Sequence, residues 1–219
     1  MMKIFNHGSE EEANKLAIIN FARFLFGGLI VFEILNYLKI LQFNTQYTWL
    51  GLVITSIFTL AVLEITAYKY KQKKGHYLHW SVWIIITIAL SLDAAGDFFH
   101  LYGRYDWWDQ VVHYFNSAII CFTLFAVINA FWIDKFKFSL LLKKGRLKLA
   151  LFLSATSTVS LGALYEMEEY LEDVFFHTNR SGLGTDTAND ITMNILGVLT
   201  VVVIIIIHYL ITHKRKIID

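Results

Sequence analysis

Four stretches of the chain repeat one chemical theme, carboxylates and imidazoles spaced to share a helical face. In SLDAAGDFFHLYG, Asp93, Asp97 and His100 stand at i, i+4 and i+7, which aligns them on one side of a helix. In YDWWDQVVHYFNSA, Asp106, Asp109, His113 and Asn116 fall at offsets 0, 3, 7 and 10. In GALYEMEEYLED, Glu166, Glu169, Tyr170 and Asp173 share a face, while Glu168 and Glu172 point elsewhere by the same phase. In SGLGTDTANDITMNILG, Asp186, Asp190, Asn194 and Gly197 form a stripe, and Thr185 or Asp186 can cap the helix start. Glu33 and Asn36, at i and i+3, offer a fifth polar face.

Brought into one helix-bundle interior, these faces gather about nine carboxylates and two imidazoles, and so many like charges cannot ionise together without cations. Bound divalent metal is the economical neutraliser. Oxygen and imidazole donors without thiolate suit Mg, Mn, Fe or Zn, and facing helices of a bundle assemble such centres. The expected ligands are Asp93, Asp97, His100, Asp109, His113, Glu166, Glu169, Asp186 and Asp190. Asp97 with His100, and Asp109 with His113, have spacings that let two side chains grip one ion. His113 and Asp109 are also the expected proton carriers. Arg104 and Arg180 are expected to hold an anionic group, and the amides of the Gly182 to Gly184 loop could cradle one.

The elements that must position these residues follow from composition. Of 219 residues, 56% are hydrophobic and only 17% charged, outside the usual range of a soluble domain. Apolar runs near 16–40, 47–69, 79–101, 109–133, 148–173 and 186–212 reach the ~20 residues that cross a ~30 Å hydrocarbon core. The expected fold is therefore all-α, a polytopic transmembrane bundle of about six spans. Residues 1–15 form a short N-terminal segment, 16–213 one membrane domain and 214–219 a basic tail. The N-terminus lacks the apolar core of a cleavable signal peptide. The chain has no proline, so the helices should be fairly straight, and its single cysteine, Cys121, permits neither an intrachain disulfide nor a thiolate metal site.

Three breaks between the runs, YKYKQKKGHY, DKFKFSLLLKKGRLK and the terminal HKRKIID, are strongly basic, whereas the alternate breaks carry only Lys39, Arg104 and Arg180. The positive-inside rule puts the basic breaks and both termini in the cytoplasm. Tyr47, Trp49, Trp80, Trp83 and Tyr102 to Trp108 fall where aromatic belts belong. The basic clusters thus have a topological explanation, and with a net charge of +1 nothing suggests nucleic-acid binding. Glu64 is expected to pair with Lys69 or another nearby lysine, Arg23 to snorkel at the inner interface, and His76, His79, His208 and His213 to sit on the cytoplasmic side.

Eleven of the eighteen acids then lie at or near the outer ends of the third to sixth spans. Asp93 falls roughly 10 Å below the outer end at 1.5 Å rise per residue. An unpaired carboxylate at such depth costs about 2.5–3.5 kcal/mol on insertion scales, so a partner is implied. Ser117 and Ala118, small residues after His113, allow a neighbouring helix to approach closely.

The ordered set DxxxDxxHLYGRYDWWDQVVHYFNSA, YEMEEYLED and GTDTANDITMNILG resembles the YjdF-like family of bacterial multi-spanning inner-membrane proteins over roughly residues 80 to 200. The stretch from Asp186 to Gly197 is also similar to the core of VanZ-like membrane proteins. The resemblance implies a bacterial cytoplasmic-membrane, multi-pass protein and groups Asp93, Asp97, Asp106, Asp109, His113, Glu166, Glu169, Asp186, Asp190 and Asn194 as one site. It names no reaction.

The residues themselves point to a metal-dependent centre acting on a lipid-linked or other anionic membrane substrate, by hydrolysis or phosphoryl transfer. The rival reading is a cation- or proton-coupled transporter, since intramembrane acids also mark ion pathways. A third is a non-catalytic membrane subunit whose acids stabilise the bundle. The inner halves of the last three spans carry little beyond Thr123, Asn129 and the Ser/Thr series 154–160, a one-sidedness that favours a site over a pathway.

Overall fold

In hydrocarbon every amide must be bonded within its own segment, so long apolar runs without proline have no better solution than continuous helix. The computed structural model describes residues 7–43, 49–105, 107–132, 144–178, 180–182 and 184–218, with backbone alone for 7–11, 144–145 and 213–218. Seven helices follow in order: α1 His7–Tyr37, α2 Trp49–Lys74, α3 Trp80–Phe98, α4 Leu101–Arg104, α5 Trp108–Trp132, α6 Lys144–Phe176 and α7 Asp186–Ile218. All but α4 are long and apolar enough to span a membrane. Asp106, Tyr47 and most of the basic break between the fourth and fifth spans lie outside the described residues.

The spans pack as two groups. Phe125 and Cys121 of α5, Ala150 and Leu147 of α6, and Ile205 and Val198 of α7 form one apolar core. Ile19 and Ala22 of α1, Leu63 and Tyr70 of α2, and Trp83 and Val82 of α3 form the other, into which Ala130 of α5 reaches. Helix α5 is the common member, touching α3, α6 and α7, while α2 meets α5 and α6 at few points. The closest seam is α5 against α7. A Cβ added at Gly197 would lie 2.3 Å from the Tyr114 carbonyl oxygen and 3.1 Å from the Ala118 amide nitrogen. The small residues thus bring the two backbones together, as small-residue seams do in membranes.

Large apolar side chains such as Phe24, Phe58, Phe152 and Ile204 cover the outside, the inverse of a soluble protein and what a lipid surround requires. The third span ends earlier than its sequence suggests. After Phe98 the chain turns through His100, whose φ of 55° is left-handed, and folds back so that Tyr102 and Trp108 lie over Gly96. One further expectation is corrected. Glu64 pairs with Arg23 rather than a lysine, accepting two hydrogen bonds at 2.7 and 2.8 Å. Arg23, its side chain one-third exposed, also lays its guanidinium 4.6 Å from the centre of the Trp83 ring.

Candidate metal centre

The acidic stripes of α5, α6 and α7 converge where the seam is tightest. Asp109 and His113 sit one turn apart on α5, Glu166 faces them from α6, and Asp190 from α7. Donor atoms of Asp109, His113 and Asp190 all lie within 4.8 Å of one another, the one such cluster among the described residues. His113 Nε2 is 3.5 Å from Asp109 Oδ1 and 3.6 Å from Glu166 Oε1. Except for half-buried Asp109, these side chains are buried.

The imidazole is oriented from behind. Its Nδ1 lies 3.3 Å from Asn194 Oδ1, which also accepts a 2.6 Å hydrogen bond from the Ser117 hydroxyl. With Asn194 as acceptor, Nδ1 carries the proton and Nε2 presents its lone pair to the carboxylates, the tautomer a metal ligand needs. Asp190 Oδ1 is buried without a hydrogen-bond partner, and the buried Glu166 carboxylate has the Thr187 side chain as its hydrogen-bonding neighbour. Buried polar atoms are nearly always satisfied, and three carboxyl groups around one imidazole call for a proton or a cation between them. Two ligands each ~2.1 Å from one ion are at most ~4.2 Å apart, so small side-chain rotations would close this cluster on a cation.

A second polar group lies beside the first. Arg180, from the loop between α6 and α7, is buried under the end of α6. Its guanidinium lies 3.0 Å from Glu169, 3.3 Å from Glu172 and 3.4 Å from Glu168, and donates to the Tyr165 hydroxyl at 2.8 Å. Burial alone would lower the pKa of Arg180, but Tyr165, Glu169, Glu168 and Glu172 outweigh it and drive it upward. The inward face of α6 is thus Tyr165, Glu168, Glu169 and Glu172 together with Glu166, so the expected phase is corrected: Tyr170 is exposed, and Glu168 and Glu172 turn in. The loop supplies the reason, because Arg180 folds back over that side of the helix.

The loop amides also have a partner of their own. Backbone N–H groups of Arg180 and Ser181 donate to Asp173 at 2.7 and 2.9 Å, and the Thr178 and Ser181 hydroxyls add two more hydrogen bonds. The anion held at this turn is the protein's own carboxylate.

On α3, Asp93 accepts a 2.6 Å hydrogen bond from Tyr102, and Asp97 is buried. Burial and then the Asp93 charge hold the Tyr102 phenol well above its ordinary pKa, fixing it as the donor. Glu33 of α1 is buried, accepts from Ser56 at 3.0 Å, and stands within electrostatic reach of Asp93 and Asp97. Asp186 is half-buried at the rim, within electrostatic reach of Asp109 and Asp190.

Two expected site residues stay apart. His100, placed beyond the helix end by the turn, is exposed and off the Asp93–Asp97 face, and Arg104 is exposed in α4. Tyr102 and Tyr165 are the residues that sequence reasoning missed. Tyr165 had a legible signal, standing at i−3 and i−4 from Glu168 and Glu169, whereas Tyr102 lay in a break that read as an aromatic belt.

A cavity of about 520 Å³ runs along one side of the cluster. Asp93, Asp97, Tyr102, Asp109, His113 and Arg180 line its polar end, and it continues between α2, α3, α5 and α6 as far as Val82, Thr66 and Val127. No curated protein and no solved structure matches the chain. The three motif blocks that suggested kinship all fall inside one matched stretch. A family described as a predicted membrane protein, DUF2238, matches residues 21–210, and the chain belongs to that family.

Proposed function

We propose that the protein is a divalent-metal-dependent membrane enzyme whose ion is held by Asp109, His113 and Asp190 with Glu166, and which acts on a lipid-linked substrate by hydrolysis or phosphoryl transfer. One observation carries the reading: donors of Asp109, His113 and Asp190 converge from α5 and α7, with Glu166 of α6 3.6 Å from His113, around a buried Asp190 Oδ1 that has no hydrogen-bond partner. The oxygen and imidazole donors suit Mg, Mn, Fe or Zn. A bound ion would lower the pKa of a water and offset phosphate charge. Glu166, buried on α6 and 3.6 Å from His113 Nε2, would take that water's proton through the carboxylate oxygen that does not hold the ion. Arg180 already faces three carboxylates, so the metal is the better candidate for binding an anionic head group. By the positive-inside reading, the site faces the extracytoplasmic side of the membrane.

Transport of ions is the weaker reading, because beyond its polar end the cavity is walled mainly by Leu, Ile, Val and Phe with scattered threonines. Elemental analysis of detergent-purified protein tests the proposal, with wild type beside Asp190→Asn and His113→Ala. Stoichiometric Mg, Mn, Fe or Zn in wild type, lost in both variants, is the expected result. Metal-free wild type after loading with each ion and desalting would refute it.

A further inference from the structure

The cavity is far longer than a head-group site requires. Along α5 it runs from Asp109 to Val127, eighteen residues or about 27 Å at helical rise. A second, shallower hollow, lined by Ile65, Lys69, Phe131 and Trp132, shares Thr66 and Val127 with it and carries the groove on to the basic end of the bundle. Two apolar cores flank this path, one built on α1 to α3 and the other on α5 to α7. It exists because α2 meets α5 and α6 at few points.

Its dimensions specify an occupant. About 520 Å³ drawn out over about 27 Å is a long path between helices, a shape suited to an extended hydrocarbon chain and not to a compact soluble ligand. One leaflet of a ~30 Å core is about 15 Å deep, so the path is longer than one leaflet is deep. Its walls beside the chain, among them Phe58, Val62, Ile86, Ile120 and Leu124, are apolar, while its far end opens on Asp109 and His113.

We infer that the groove binds the long hydrocarbon chain of a lipid whose phosphate-bearing head group lies on the metal at Asp109 and His113. The head-group half rests on the metal reading above; the chain half does not. Arg180, the guanidinium at the polar end, is already engaged by Glu168, Glu169 and Glu172, so a phosphate gains a positive partner there only when a divalent ion arrives with it. Head-group binding is therefore metal-dependent, whereas chain binding is not.

The test is photocrosslinking and equilibrium binding of a long-chain polyisoprenyl phosphate and the corresponding alcohol to purified protein, with and without Mg or Mn. Thr59→Trp and Ile120→Trp place a large ring in the groove away from the metal ligands. Both variants are first checked for a monodisperse elution peak and wild-type metal content. We expect the phosphate to bind only with metal, the alcohol to bind either way, and both to weaken about tenfold or more in the filled variants. Crosslinks should map to α2 and α5. Binding of the alcohol to protein that retains no metal, lost in Thr59→Trp, would keep the groove and refute the metal centre. Full metal occupancy with equal lipid binding in wild type and both filled variants would refute the groove. So would equal affinity for a short-chain alkyl phosphate, or preference for a long-chain amine.

Discussion

His113 Nδ1 lies 3.3 Å from Asn194 Oδ1 across the seam between α5 and α7. Through that contact a helix that supplies the acid Asp190 also sets the tautomer of the imidazole opposite it. Outer partners of metal-bound histidines typically change metal affinity about 10- to 100-fold. Asn194→Ala is expected to weaken metal binding within that range, and Ser117→Ala less, with no ligand removed. Titration with a fluorescent metal competitor measures it. Unchanged affinity in Asn194→Ala would show that the imidazole is oriented by something else.

The same seam predicts a stability effect. At Gly197 any side chain meets the Tyr114 carbonyl oxygen at 2.3 Å, and backbone cannot yield as a side chain can. Gly197→Val should cost about 1–3 kcal/mol, the range of overpacked cores. It should also pull Asp190 away from Asp109. Thermal melting in detergent and metal content are expected to fall together.

Arg180 gives the largest expected effect. Removing one partner of a buried charge cluster costs about 3–5 kcal/mol because the remaining charges lose their compensation. Arg180→Met should therefore destabilise strongly. Arg180→Lys should rescue little, since one ammonium lacks the planar fork that reaches Tyr165 and three glutamates. Glu168→Gln with Glu172→Gln in the Arg180→Met background should restore part of the melting temperature. No restoration would mean that packing, not charge, dominates.

At the basic end, His79 caps α3 through its Nδ1, which accepts from the Ser81 amide at 3.3 Å. Burial and then Lys15 lower its pKa. The unfolded chain thus binds this proton more readily than the folded one, and stability falls as pH drops below the ordinary value of ~6.5. His79→Asn keeps a capping oxygen without the charge. Relative to this variant, wild type should lose melting temperature between pH 7.5 and pH 5.5, and an unchanged gap would remove His79 from the account.

The sequence by itself determined the six spans, because twenty apolar residues without proline in hydrocarbon have one backbone solution. It also determined the stripes of α5 and α7, since helical periodicity and small residues fix which side of a straight helix faces inward. Asp109, His113, Asp190, Asn194 and Gly197 follow from that alone. Only the tertiary structure decided the facing of α6, the place of His100 and the partner of Arg23. Each depends on a segment distant in sequence: Arg180 reaching back over Glu168 and Glu172, the turn that lays Tyr102 on Gly96, and Glu64 arriving from α2. Periodicity carries no information about such contacts. The long apolar groove belongs with them, because it arises from where α2 stands apart from α5 and α6, a gap between surfaces and not a property of any one helix.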